Sequence, residues 1–358
     1  MYNSIRPGEL WLDTEGKPIQ AHGGSIITVG DTFYWYGENK EKTVKGSNIW
    51  HWGVRCYSST DLYNWVDEGL IIPPESDNTD SPLHPSESMM DRPHILFNEQ
   101  TKKYVCWLKC MKHDGSQSEA VLTADSILGP YTMIHEKLKP LGMNAGDFDL
   151  VKASDGKAYY YFERVHSELI CADLTEDYTN VTGYYSTHFP LIQPPFVREA
   201  PAYFMRKGLH YLITSGTTGY IPNPSMTACA KTYHGPWAMQ GNTHPGDTSR
   251  TSFNSQISSV FKHPAKKDLY IALADRWIPH FPEFVGESFH TGEANKSIEM
   301  TFQSLFDPDG KPSDAPPQMP DVQLNGDANS RYVWLPLNFD GEYPMVKWLD
   351  EWRMEDFI

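Results

Sequence analysis

Asp147-Phe-Asp-Leu-Val151, the turn Ser154-Asp155-Gly156-Lys157 and the run Ala158-Tyr-Tyr-Tyr-Phe162 decide how this chain is read. A polar head opens a short alternating strand, an Asp-Gly turn reverses it, and an aromatic strand returns. That is the grammar of a β-hairpin. It recurs in His22-Gly-Gly-Ser-Ile-Ile-Thr-Val29, turn Gly30-Asp31, Thr32-Phe-Tyr-Trp-Tyr36. It recurs again in Asp91-Arg-Pro-His-Ile-Leu-Phe97 with Tyr104-Val-Cys-Trp-Leu108, and in Glu199-Ala-Pro-Ala-Tyr-Phe204 with Leu209-His-Tyr-Leu-Ile213. The last copy is Gln256-Ile-Ser-Ser-Val-Phe261 with Leu269-Tyr-Ile-Ala-Leu273.

The heads His22, Asp91, Asp147, Glu199 and Gln256 lie 69, 56, 52 and 57 residues apart. Third strands also recur, at Val54-Arg-Cys-Tyr-Ser-Ser59, Ala120-Val-Leu-Thr-Ala124, Ile170-Cys-Ala-Asp-Leu174 and Ala228-Cys-Ala-Lys-Thr232. A repeat of roughly 50–70 residues with three or four antiparallel strands is the size of one propeller blade with its loops. The pattern therefore predicts an all-β chain, a five-bladed β-propeller, forming one domain over 1–358. A β-sandwich or jelly roll also alternates along its strands, but does not place one polar head before every hairpin. The last blade draws on Ser330–Leu337 and on Pro344–Leu349, and the stretch around Trp11 is expected to close the ring. Between 278 and 329 the periodicity lapses, which predicts a loop insertion within the last blade.

Composition narrows the partners. Lys plus Arg total 30 against 46 Asp plus Glu, a formal charge of −16, which argues against nucleic acid or an anionic membrane surface. Mean hydropathy is −0.52, and no run of 18 apolar residues could span a bilayer. No leader is visible at Met1-Tyr-Asn-Ser-Ile-Arg6. The five cysteines lack a CxxC pair and read as small core residues. Phosphate-loop, zinc-protease, serine-hydrolase and dinucleotide motifs do not occur. Asn180-Val-Thr and Asn295-Lys-Ser form the glycosylation triplet.

In a propeller the innermost strands line the axis, so the five heads are expected at one mouth of the channel. Carboxylates gathered without partners cost several kcal/mol, which gives structure alone a poor reason to place them there. Paired carboxyl groups suit glycoside hydrolysis, one protonating the leaving oxygen and another group activating water. Carboxylate oxygens with one imidazole leave room for a structural calcium and disfavour a catalytic zinc. No cofactor is expected.

The residues also resemble glycoside hydrolase family 43, and within it the exo-β-1,3-galactanase-like subfamily (subfamily 24). The matching stretches run along most of the chain: Ile19-Gln-Ala-His-Gly-Gly-Ser-Ile26, Tyr34-Trp-Tyr-Gly-Glu38, Arg92-Pro93, Arg198-Glu-Ala-Pro-Ala202, Thr218-Gly219, Asn254-Ser-Gln256, Asp275-Arg-Trp277 and Ser330-Arg-Tyr-Val-Trp-Leu-Pro-Leu337. The resemblance implies Glu199 as general acid, Asp147 as the carboxylate that modulates its pKa, and Gln256 as the residue that holds or deprotonates the attacking water. It implies sugar contacts for Asp91, Arg92, Glu38, Thr218, His22 and Tyr220, with Trp277, Arg331 and Trp334 as further candidates. Departures are visible. His22 stands where most of the family has a catalytic Asp, Asp91 where the subfamily has Glu, His94 where Lys is common, and Tyr220 where Trp is usual. The implied activity is an inverting, exo-acting release of galactose from β-1,3-galactan, the backbone of arabinogalactan glycans. A related arabinofuranosidase or xylosidase, or a sugar-binding propeller without turnover, are the rival readings. A polymeric plant glycan as the partner favours an extracytoplasmic setting, while unpaired cysteines and the leaderless start leave the cytoplasm open; a monomer is expected.

Overall fold

The computed structural model describes residues 1–190, 193–307 and 327–358. Its strands form five four-stranded sheets, each ordered as the chain runs. The first blade is β1 (His22–Val29), β2 (Thr32–Glu38), β3 (Val54–Ser59) and β4 (Val66–Ile72). The second is β5 (Met89–Asn98), β6 (Lys103–Met111), β7 (Gln117–Ala124) and β8 (Thr132–Leu138). The third is β9 (Ala145–Lys152), β10 (Ala158–Arg164), β11 (Glu168–Leu174) and β12 (Val181–His188). The fourth is β13 (Glu199–Arg206), β14 (Leu209–Ser215), β15 (Met226–Ala230) and β16 (Ala238–Asn242). The fifth is β17 (Gln256–Lys262), β18 (Tyr270–Arg276), β19 (Arg331–Asp340) and β20 (Tyr343–Val346). The chain is a five-bladed β-propeller, as the repeat predicts.

The stretch around Trp11 adds no strand to a sheet, since the fifth blade has its own fourth strand in β20; Leu12 forms an isolated bridge to Pro18, and upstream the Gly8 N–H donates to the Tyr332 carbonyl of β19 at 2.7 Å.

A detail repeated in every blade governs where the heads point. The first hairpin of each blade shifts register next to its head, between His22 and Ser25, Asp91 and His94, Glu199 and Ala202, and Ile257 and Ser259, and opposite 145–148 in the third blade. The extra residue in the inner strand is a β-bulge, which bends the strand and re-aims a side chain. Gly23, Arg92 and Ala200, each one residue past its head, sit at φ of 62°, 55° and 46°. For Arg92 and Ala200 this left-handed backbone is strained, by about 1–3 kcal/mol each. The first bulge also brings two backbones together. A Cβ on Gly24 would lie 1.9 Å from the Tyr36 carbonyl oxygen, so no other residue fits there.

The chain divides into two compact units. One holds Met1–Ile5, Leu10–Val165 and Ile170–Ser186, and the other Arg6–Glu9, His166–Leu169 and Thr187–Ile358. The first unit carries blades one to three apart from the ends of β11 and β12. Its cores lie where successive blades face each other. Tyr36, Val54 and Cys56 pack with Met90, Cys106 and Leu108, and Trp107 packs with Phe148, Tyr160 and Phe162. Each such fully buried side chain contributes about 1.5–3 kcal/mol. The five cysteines are free thiols, and all but Cys229 are buried, as small apolar residues would be.

In the second unit, the segment between β18 and β19 is not an irregular loop where it is described. It forms α1 (Phe281–Val285), α2 (Ser288–Thr291) and α3 (Glu293–Leu305). Residues 308–326 of the expected insertion lie outside the described residues. Phe281 and Ile298 are buried with Ile221, Trp277 and Ile278, and Tyr220, Phe289 and Phe302 pack on them. The Asn295 triplet is no glycan acceptor in this fold: Asn295 is 1% exposed, and its amide donates to the Pro222 carbonyl at 2.6 Å. Among the described residues no helix is long and apolar enough to cross a membrane.

Candidate functional site

In the first unit the heads are not bare carboxylates. They belong to a row of alternating charges. Glu38 Oε2 lies 2.9 Å from Lys40 Nζ, which is 3.8 Å from Asp91 Oδ1. Asp91 Oδ2 faces Lys109 Nζ at 3.6 Å, and Lys109 reaches Asp147 Oδ1 at 2.8 Å. Asp147 Oδ2 meets the Arg92 guanidinium at 3.0 Å. Three carboxylates thus face three cations. This resolves the cost of gathering acids at strand heads, since buried charge is tolerated when paired and hydrogen-bonded. It also leaves the three carboxylates engaged with ammonium and guanidinium groups, a poor arrangement for a calcium site.

The row is braced from both sides. Arg92 N–H donates to Glu38 Oε1 at 3.0 Å, tying the strained bulge of β5 to the end of β2. The half-buried Trp50, on the connection between β2 and β3, donates its indole N–H to Asp91 Oδ1 at 2.7 Å. Lys40 donates to the Trp50 carbonyl at 2.9 Å and lies 4.9 Å from the indole centroid. His22 is fully buried and pairs with Glu38 across the first hairpin. The Asp147 face continues one layer along β9, where Asp149 Oδ1 lies 3.3 Å from His94 Nε2.

These contacts set charge states. Burial alone would raise the Asp147 pKa, but Arg92 and Lys109 outweigh it and hold it down at about 2. Glu38 is pushed up to about 7 by burial, against the pull of Lys40. Glu119, which pairs with Lys109 across the strands, is also raised well above the carboxyl range by burial, and accepts from the Tyr160 hydroxyl at 2.8 Å.

In the second unit, Glu199 opens β13 half-buried, with Ser215 as its cross-strand partner. The preceding Arg198 donates to the Thr214 hydroxyl at 3.0 Å and the Thr214 carbonyl at 2.6 Å, and Arg206, at the far end of β13, holds Asp268 through a bidentate pair. Burial pulls Arg198 down to about 10, with Glu199 opposing. Gln256 opens β17. Its Nε2 donates to Ser215 Oγ at 2.8 Å, and its Oε1 accepts from the Trp277 indole at 3.1 Å. Ser215, Gln256 and Trp277 line a small, partly open pocket with Tyr220, Asn254 and Asp275.

Each unit thus brings together part of the expected set. Glu38, Asp91, Arg92 and Asp147 share the first row, with His22 opposite Glu38 across the hairpin, and Tyr220, Gln256 and Trp277 share the pocket. Thr218 is 1% exposed; its hydroxyl donates to the Ile221 carbonyl and accepts from Asn223, holding the loop over 216–223. Arg331 donates to the carbonyls of Asn329 and Ser330, and Trp334, 1% exposed, packs inside the third strand of the fifth blade. Neither lines the pocket. Sequence reasoning missed Lys40, Trp50, Lys109 and Ser215. A usable signal existed for Lys109, a lone cation within the apolar run of β6, which strand burial would otherwise exclude.

Residues 17–277 match the glycosyl hydrolases family 43 model, and the chain belongs to that family. Solved structures agree along nearly the whole length. A family-43 β-1,3-galactosidase is 28% identical with a TM-score of 0.77, covering 99% of this chain and 65% of that one. The exo-β-1,3-galactanase of Phanerochaete chrysosporium, solved with β-1,3-galactotriose, is 27% identical with a TM-score of 0.75, covering 98% and 68%. A second β-1,3-galactosidase, solved with galactodeoxynojirimycin, is 27% identical with a TM-score of 0.76, covering 98% of this chain and all of that one. The chain therefore spans about two thirds of the first two relatives. Among curated proteins none matches it.

Proposed function

We propose that this protein is an inverting, exo-acting glycosidase that releases terminal galactose from β-1,3-linked galactan. The similarity to β-1,3-galactosidases and exo-β-1,3-galactanases over nearly the whole chain carries this reading. The resemblance to the family supplies the division of labour. Asp147, held at about 2, is ionised at any working pH and cannot donate a proton. Glu38 holds a proton more readily, is 1% exposed, and accepts from the Arg92 backbone N–H. Glu199, half-buried at the start of its strand, takes the general-acid role that its Glu-Ala-Pro motif has in the family and protonates the leaving oxygen. Asp147 supplies the fixed negative charge on which the acid's proton affinity depends. Gln256 holds the attacking water, and Asp91 and Arg92 bind sugar hydroxyls.

The test is Glu199→Gln assayed on β-1,3-galactobiose beside aryl arabinofuranoside and xyloside. Turnover of galactobiose should fall by roughly 10²–10⁴ with galactose still bound. Turnover of the pentosides alone would replace galactose with a pentose. A negligible rate that the substitution leaves unchanged would favour a sugar-binding propeller, the reading that the missing carboxylate at His22 supports.

A further inference from the structure

Gln256 is an odd residue at a position where water must be activated, and its surroundings say which form of the amide is present. The geometry assigns Trp277 as the positioning residue that locks the Gln256 carboxamide in one orientation and in its ordinary carbonyl tautomer. This rests on the reading of Gln256 as the group beside the attacking water.

An indole nitrogen only donates. Trp277 Nε1 stands 3.1 Å from the Gln256 amide, so the atom facing it must be the oxygen; an NH₂ there would set donor against donor. The nitrogen is then turned to Ser215 Oγ, 2.8 Å away, where a hydroxyl accepts. A glutamine acting as a base would need its imidic form, with a proton on the oxygen. That oxygen would be a poorer acceptor for the indole, and the indole has no lone pair to receive the proton. Trp277 therefore stabilises the carbonyl form, and Gln256 orients water rather than deprotonating it.

The indole is itself held from behind. Trp277 is 5% exposed, meets Tyr220 edge-on with centroids 4.9 Å apart, and packs with Phe281 and Ile298 of the inserted helices. Asn295 of α3 fastens those helices to the Pro222 carbonyl. The chain leading into Gln256 is equally constrained. Arg250, Ser252, Phe253 and Asn254 all have φ between 53° and 60°, an arrangement that persists only where its surroundings over-determine it. Asp247 accepts from the backbone of Thr251 and Phe253, and Asn254 donates to the Ile278 carbonyl. The insertion thus acts on the pocket through Trp277.

The experiment is Trp277→Phe, which keeps the ring and removes the donor. On β-1,3-galactobiose, kcat should fall roughly tenfold, the worth of one hydrogen bond, while KM stays within about twofold. An unchanged kcat, or a rise in KM matching the fall in kcat, would overturn the assignment. If that variant does not fold, the native protein decides by ¹⁵N NMR, with the Gln256 side chain assigned by its loss in Gln256→Ala. Two protons on that nitrogen are expected, and a single proton would refute the carbonyl form. If no glycoside is turned over, the proposed function fails, and the spectrum still tests the lock.

Discussion

Replacing Lys109 by methionine should reveal how the row of charges works. Lys109 is shared between Asp91 and Asp147, and its side chain is only 13% exposed. Asp147 is held at about 2 against an ordinary 3.8, an interval worth about 2 kcal/mol of folding stability. Because the folded pKa is depressed, that stability is present in full above pH 3.8 and drains away as pH falls towards 2. Methionine fills the space but removes the Lys109 share and leaves Asp91 and Asp147 leaning on Lys40 and Arg92. Breaking one side of a fully buried pair costs about 3–5 kcal/mol. With Arg92 remaining, the loss should be about 2–3 kcal/mol at neutral pH. Urea denaturation at a series of pH values is the assay. The gap between the two proteins should be widest near neutrality and narrow below pH 3.8. The acid limb of the kcat/KM profile should also move to higher pH, since Asp147 then protonates more easily. A variant as stable as the parent at neutral pH, with an unmoved acid limb, would show that Lys109 is a bystander and that Arg92 alone sets Asp147.

Other outcomes follow from the same contacts. Trp50→Phe removes the 2.7 Å donor to Asp91 and should raise KM for β-1,3-galactobiose roughly tenfold with kcat little changed, because a hydrogen bond to a charged acceptor is worth about 1.5–3 kcal/mol. An unchanged KM would remove Asp91 from sugar binding. His22→Ala should slow turnover only mildly; abolition with recovery in added azide or formate would make His22 the base.

The fold was legible because strand alternation and turns are local, and five copies reinforce one another. What stayed hidden depended on contacts across the sheet or on weak local patterns. Lys40 and Lys109 belong to no motif, and only the approach of β2, β5, β6 and β9 turns them into partners of Asp91 and Asp147. The helix α3 was readable in principle. Ile298, Phe302 and Leu305 fall at helical spacing without proline or glycine, but flanking proline-rich sequence masked them. Trp277 reads from Asp275-Arg-Trp277 as a candidate sugar contact, and the structure adds that its indole, set in an apolar cluster, donates to Gln256. A sequence shows that a tryptophan is present and not which way its nitrogen faces.

The most direct measurement is the anomeric configuration of the first galactose released from β-1,3-galactotriose, followed by proton NMR before mutarotation sets in. Inversion at a β-linkage predicts α-galactose as the initial product, from the non-reducing end and one residue at a time. Initial β-galactose, or the release of internal fragments, would contradict the account.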